Sequence, residues 1–138
     1  MPDIIYNNFL EREGEKVYDM ENDVFKMILL DDGHTPSDAH VDYADVIADE
    51  LSNGNGYTTG GATLAGVTWS ESAGIVTFDA DDVQWAAANF TSRYGVIYND
   101  TVADELVCLI DFTENKQASA ITFEVRFHAN GIFRKQQA

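Results

Sequence analysis

A chain of 138 residues with 24 acidic against 8 basic side chains and a formal net charge of −16 excludes a basic nucleic-acid-binding surface, because such surfaces need clustered Lys and Arg to displace phosphate counterions. A composition 45% hydrophobic and 12% aromatic excludes intrinsic disorder and suits one domain. The single cysteine, Cys108, excludes an internal disulfide, and no apolar run approaches the roughly 20 residues that span a bilayer, so the expectation is a soluble chain made in a cytoplasm, with neither nucleic acid nor membrane as partner.

Residues 1–22 are polar and weakly periodic, which predicts an N-terminal arm or an edge-strand segment (a strand pair) lying on a body formed by residues 23–138. Val24–Leu30 is short, apolar and β-branched, and Asp31-Asp32-Gly33 follows it, the pattern of a central strand and a turn. A helix is predicted next. Thr35 caps, Pro36 takes the first position, Asp38 supplies an early acidic side chain, and Val41, Ala44, Ile47, Ala48 and Leu51 recur at helical spacing until Asn53-Gly54-Asn55-Gly56. This short helix is expected to cover one open end of a sandwich.

Strand patterns occupy the rest. Ala62–Trp69 reads as a strand with a bulge at Gly66, and Gly74 opens a second at Ile75–Phe78. Trp85–Ala88 leads into Phe90 as a strand or short turn, and Tyr94–Tyr98 pairs as a hairpin with Leu106–Phe112. In the last clear strand Ile121, Phe123, Val125 and Phe127 are expected inside, with Thr122, Glu124 and Arg126 outside. The fold class is mainly β: a single antiparallel β-sandwich or jelly-roll-like domain with one short helix and an N-terminal arm.

Three places carry enough polar chemistry to weigh as sites. Asp79, Asp81 and Asp82 crowd one bend, but a calcium loop started at Asp79 places Val83, Gln84 and Phe90 where it needs a ligand, a glycine and a glutamate. The reading is a polar bend whose carboxylates bond backbone amides; a weak Ca2+ site, or a calcium-dependent glycan module with Trp85 as platform, is the alternative. Asp31, Asp32, His34, Asp38, His40 and Asp42 form a second cluster, and the spacing of His34 and His40 is not the i, i+4 of a helical zinc site, so these read as surface or capping groups. Tyr57-Thr58-Thr59-Gly60-Gly61 lacks the lysine of a phosphate loop, and there is no Gly-x-Ser-x-Gly elbow. Cys108, in an apolar run, reads as buried. The expectation is therefore no catalytic residue, no cofactor and no metal. Partner contacts are expected from aromatic and basic side chains of the arm, Tyr6, Phe9, Arg12, Lys16 and Tyr18, and from Arg134 and Lys135 near the C-terminus. For the aromatics, filling the core is the equal alternative.

Gly56–Leu64, Phe78–Trp85, Arg93–Asp100 and Ile110–Phe112, with Val24–Leu30 before His34-Thr35-Pro36 and a closing Asn130-Gly131-Ile132-Phe133, together resemble a family of small tailed-bacteriophage virion proteins. The resemblance runs from residue 17 to 133 and leaves the first sixteen residues outside it. It implies a non-enzymatic structural protein, with head decoration (cement) on the capsid exterior ahead of a tail, neck or fibre position. The implied partners are the major capsid protein and further copies of the chain, as a homotrimer.

Overall fold

In the computed structural model, which describes residues 2–136, eight strands and one α-helix follow in the order β1 (Ile4–Ile5), α1 (Asn7–Gly14), β2 (Phe25–Leu30), β3 (Ala62–Thr63), β4 (Thr68–Ser72), β5 (Ile75–Asp79), β6 (Val83–Asn99), β7 (Glu105–Val125) and β8 (Phe133–Gln136). Two single 3-10 turns, Tyr43–Asp45 and Ile47–Asp49, lie between β2 and β3. All pairings are antiparallel, in a five-stranded sheet β1-β7-β6-β2-β3 and a three-stranded sheet β4-β5-β8. The β-sandwich-like class expected from the pattern is the one observed.

β2 is the centre. Flanked by β6 and β3, it buries Phe25 and Met27 to Leu30 completely, which explains a continuous apolar run in place of alternation. Aromatic rings join the two sheets where Phe25 meets Phe78 of β5 at 5.1 Å, and within the smaller sheet Phe78 meets Phe133 of β8 at 5.3 Å. Each such ring, fully buried, contributes about 2–3 kcal/mol by transfer from water.

β6 and β7 form one long hairpin, paired from Asn99↔Glu105 to Val83↔Val125 with several shifts of register. The register slips between Tyr94↔Asp111 and Ser92↔Lys116, so Arg93 alone faces Phe112 to Asn115. Thr113, Ala87 and Ala120 take the left-handed conformation at or beside such irregularities, with φ of 69°, 51° and 54°. Extra residues on one strand bend and twist a ribbon. The predicted strand at Ile121–Phe127 is therefore the far end of β7 and the stretch just beyond it. Within it Ile121 is 56% exposed, whereas Phe123 and Val125 are buried and Phe127 packs against the core.

Three expectations need correction. The helix at 36–51 does not form, and four members of its proposed stripe face water: Val41, Ala44, Ile47 and Ala48 are exposed, while Leu51 packs against the core and Val46, outside the stripe, is buried. Sheet edges claim this backbone instead. Leu106 N–H donates to the Val41 carbonyl, Tyr43 N–H to Asp104, Asp31 N–H to Asp49 and Leu51 N–H to Leu29, at 2.9–3.1 Å. Carbonyls and amides spent on β7 and β2 cannot close helical turns, and Asp42 and Asp45 cap only a 3-10 turn.

The second correction is the N-terminal segment. It is not a loose arm but the edge-strand alternative: β1 is an edge strand, paired with β7 at Ile4↔Leu109 and Ile5↔Cys108, and α1 places Phe9 in the core. The third is the run Ala62–Trp69, which divides into β3 and β4 in different sheets. The break is at Gly66 (φ 63°), where an added Cβ would lie 2.6 Å from the Asp81 carboxylate.

Candidate functional site

Bulges curl β7 and leave a groove of about 330 Å³ along its far half, lined by Ile110, Phe112, Ala118, Ile121, Phe123, Val125 and Phe127 with the charged Lys116, Glu124 and Arg126. Phe112 and Phe123 meet across it with ring centres 6.1 Å apart. Its charges are neutralised locally. Lys116 pairs with Glu114 at 2.6 Å, and Arg126 pairs with Glu124. Hydrogen bonds from Gln84 and then Arg126 hold the Glu124 carboxyl below its ordinary range. Among the described residues no strand pairs with the outer edge of β7 beyond Leu109. Past the Asp111 amide, which donates to Asp3 Oδ2 at 2.6 Å, this stretch combines backbone that no strand pairs with partly exposed apolar side chains, the features through which a sheet edge accepts another chain.

Of the seven residues expected to meet a partner, two lie inside, Arg12 and Tyr18 are half-buried, and Lys16, Arg134 and Lys135 are exposed. Tyr6 and Phe9 are fully buried, and burial raises the Tyr6 hydroxyl well above its ordinary range. Arg12 Nε and the Tyr18 hydroxyl both donate to Glu105 Oε1, each at 2.6 Å. That pair fastens α1 and the following loop to the start of β7. Lys135 pairs with Glu13 of α1 and lies over the Trp69 ring at 6.0 Å. Lys16 and Arg134 are exposed. For the aromatic members, filling or bordering the core is what the packing favours: Phe9 stacks on Tyr18 at 5.4 Å and meets Phe133 edge-on at 5.8 Å.

The three aspartates of the bend go to separate neighbours. Asp79 Oδ1 accepts from the Ala80 amide at 2.8 Å, Asp82 Oδ1 accepts from the Phe127 amide at 2.9 Å, and the Asp81 carboxylate faces Gly66. Cys108 is fully buried, and burial pushes its thiol up to about 12, which leaves no thiolate for nucleophilic work.

Two polar clusters are assembled by tertiary contacts: one around Glu50, with no simple signature in the sequence, and one around His34 and His40, whose reading as surface or capping groups is corrected by the burial of His34. Glu50 accepts from the hydroxyls of Tyr43 and Tyr57 and, at 2.9 Å, from the Gly60 amide. Tyr57 in turn accepts from the Leu29 amide at 3.2 Å, and Tyr98 donates to the Gly60 carbonyl at 2.7 Å. Burial first and Glu50 second raise the Tyr43 and Tyr57 hydroxyls far above their ordinary range. The cluster locks the 53–61 loop onto β2, where a Cβ at Gly61 would lie 2.0 Å from the Met27 carbonyl.

The second cluster joins His34 and His40. His34 is 5% exposed; its Nδ1 lies 2.8 Å from Asp49 Oδ2, and its ring meets Tyr94 edge-on. His40 packs against it with ring centres 5.6 Å apart. Turns at Asp31–His34 and Ser37–His40 fold the segment back on itself, a proximity that helical spacing rules do not address.

Comparison with protein-family models, with curated proteins and with solved structures gives no match for the chain.

Proposed function

We propose that the chain is a non-enzymatic structural protein of a tailed-bacteriophage virion, bound to the capsid exterior as a decoration or cement protein. The observation that carries the reading is the outer edge of β7 beyond Leu109, unpaired among the described residues and running beside an apolar groove. A rigid two-sheet body with one long accepting edge suits a part that joins other subunits. The sequence blocks that resemble small phage virion proteins lend support in the same direction, since Gly56–Leu64, Arg93–Asp100 and Ile110–Phe112 supply the loop, the hairpin and the groove. An acidic surface keeps such a protein off packaged or free DNA. Bound only to the assembled lattice, it stabilises that lattice by mass action. Its partners are the major capsid protein and two further copies of itself.

The test is occupancy. Purified chain is added to undecorated capsids, and the particles are imaged by cryo-electron microscopy. Density at every equivalent lattice position, lost when Ile121→Glu places a charge in the exposed part of the groove, is the expected result. Full occupancy by the Ile121→Glu protein removes the β7 edge from the reading. Density confined to rings at the tail or neck replaces decoration with a tail-associated role.

A further inference from the structure

We propose that His34 and His40 form a two-imidazole site for a divalent first-row transition-metal ion, bound through Nε2 of His34 and Nδ1 of His40. Both nitrogens are buried and neither has a hydrogen-bond partner. The His34 side chain is 2% exposed, and its other nitrogen faces Asp49 Oδ2 at 2.8 Å. A carboxylate at Nδ1 fixes the hydrogen there, which leaves the Nε2 lone pair free; carboxylate–histidine pairs orient metal-bound imidazoles in this way. A buried lone pair without a donor costs free energy that a cation recovers.

The ring geometry is compatible with one shared ion. A metal–nitrogen distance of about 2.0–2.1 Å puts each ring centre about 3.2 Å from the ion, and ligand angles between tetrahedral and trigonal then separate the ring centres by about 5.2–5.6 Å. The observed separation is 5.6 Å. Asp49 lies behind His34. Two nitrogen ligands select zinc, nickel or copper over calcium and magnesium, which favour oxygen. Among the described residues no third His, Cys, Asp or Glu completes the set, so binding is weaker than at a closed structural site. The bound ion would clip the 34–40 loop to itself beside β6.

Calorimetric titration of the whole chain with Zn2+ and with Ni2+ at about pH 7.5 tests this, followed by nitrogen-15 NMR of the histidine rings. The expected result is saturation at one ion per chain, with joint shifts of His34 Nε2 and His40 Nδ1. His40→Ala, which leaves the His34–Asp49 contact in place, should weaken binding about tenfold or more and abolish the zinc-induced rise in melting temperature. Calcium should not substitute. No saturable heat, equal affinity in His40→Ala, or ring shifts confined to His128 would overturn the site. Because the readouts are binding and NMR of the isolated chain, they are independent of any capsid assay.

Discussion

Glu50 holds together parts of the chain that the sequence separates. Its carboxylate takes two tyrosine hydroxyls and the Gly60 amide, and through Tyr57 it reaches the Leu29 amide of β2. Removing the acceptor leaves the buried Tyr57 hydroxyl and the half-buried Tyr43 hydroxyl to find other partners, and hydrogen bonds to charged groups are worth more than neutral ones. Glu50→Ala should therefore lower unfolding stability by about 3 kcal/mol, read by urea denaturation. Glu50→Gln keeps an acceptor oxygen and should lose less. Equal losses in the two variants would mean that packing, not acceptance, is what Glu50 supplies. Nothing in the local pattern marks this residue: the sequence places it at the end of a predicted helix, and only the return of loop 53–61 onto β2 puts tyrosines around it. Asp79 and Asp82 were more legible, since aspartates at a bend bond nearby amides by short-range geometry, although the Phe127 amide that Asp82 holds is distant in sequence.

At the scale of elements, α1 shows how a weak local pattern is rescued by docking. It has eight residues and no side-chain cap, too short to persist alone in water. Phe9 and the Arg12–Glu105–Tyr18 contacts bind it to the body. Phe9→Ala removes a fully buried ring from between Tyr18 and Phe133 and should cost about 4 kcal/mol in denaturant unfolding. Deletion of the first sixteen residues, which also takes Tyr6 and β1, should destabilise the body further still. A truncated chain with unchanged stability would return this segment to the status of an arm. The long hairpin was partly legible, because Tyr94–Tyr98 and Leu106–Phe112 have strand composition and a polar turn between them. Its bulges were not, since Ala87, Thr113 and Ala120 at positive φ carry no turn residue to announce them.

For the whole molecule, charge dominates. Acidic side chains outnumber basic ones 24 to 8, and Arg12, Lys26, Arg93, Lys116, Arg126 and Lys135 are each already beside a carboxylate. Exposed pairs of this kind add little singly, so the remaining carboxylates repel one another across the surface. Raising NaCl from about 0.02 to 0.5 M screens that repulsion and should raise the melting temperature by a few degrees in a thermal-shift scan. A flat or falling profile would show that the ion pairs outweigh the repulsion.

The sequence by itself determined the β class, the central strand at β2, the hairpin, the polar bend at Asp79–Asp82 and the acidic surface. Each follows from side-chain period, turn residues or charge, quantities that neighbouring residues settle. Tertiary structure alone decided that residues 41–51 run along sheet edges in place of a helix, that Tyr6 and Phe9 fill the core, that Ile121 turns outward and that His34 meets His40. Those outcomes depend on backbone donors and acceptors contributed from far along the chain, and on bulges whose cost the packed sheets offset, so no local pattern encodes them.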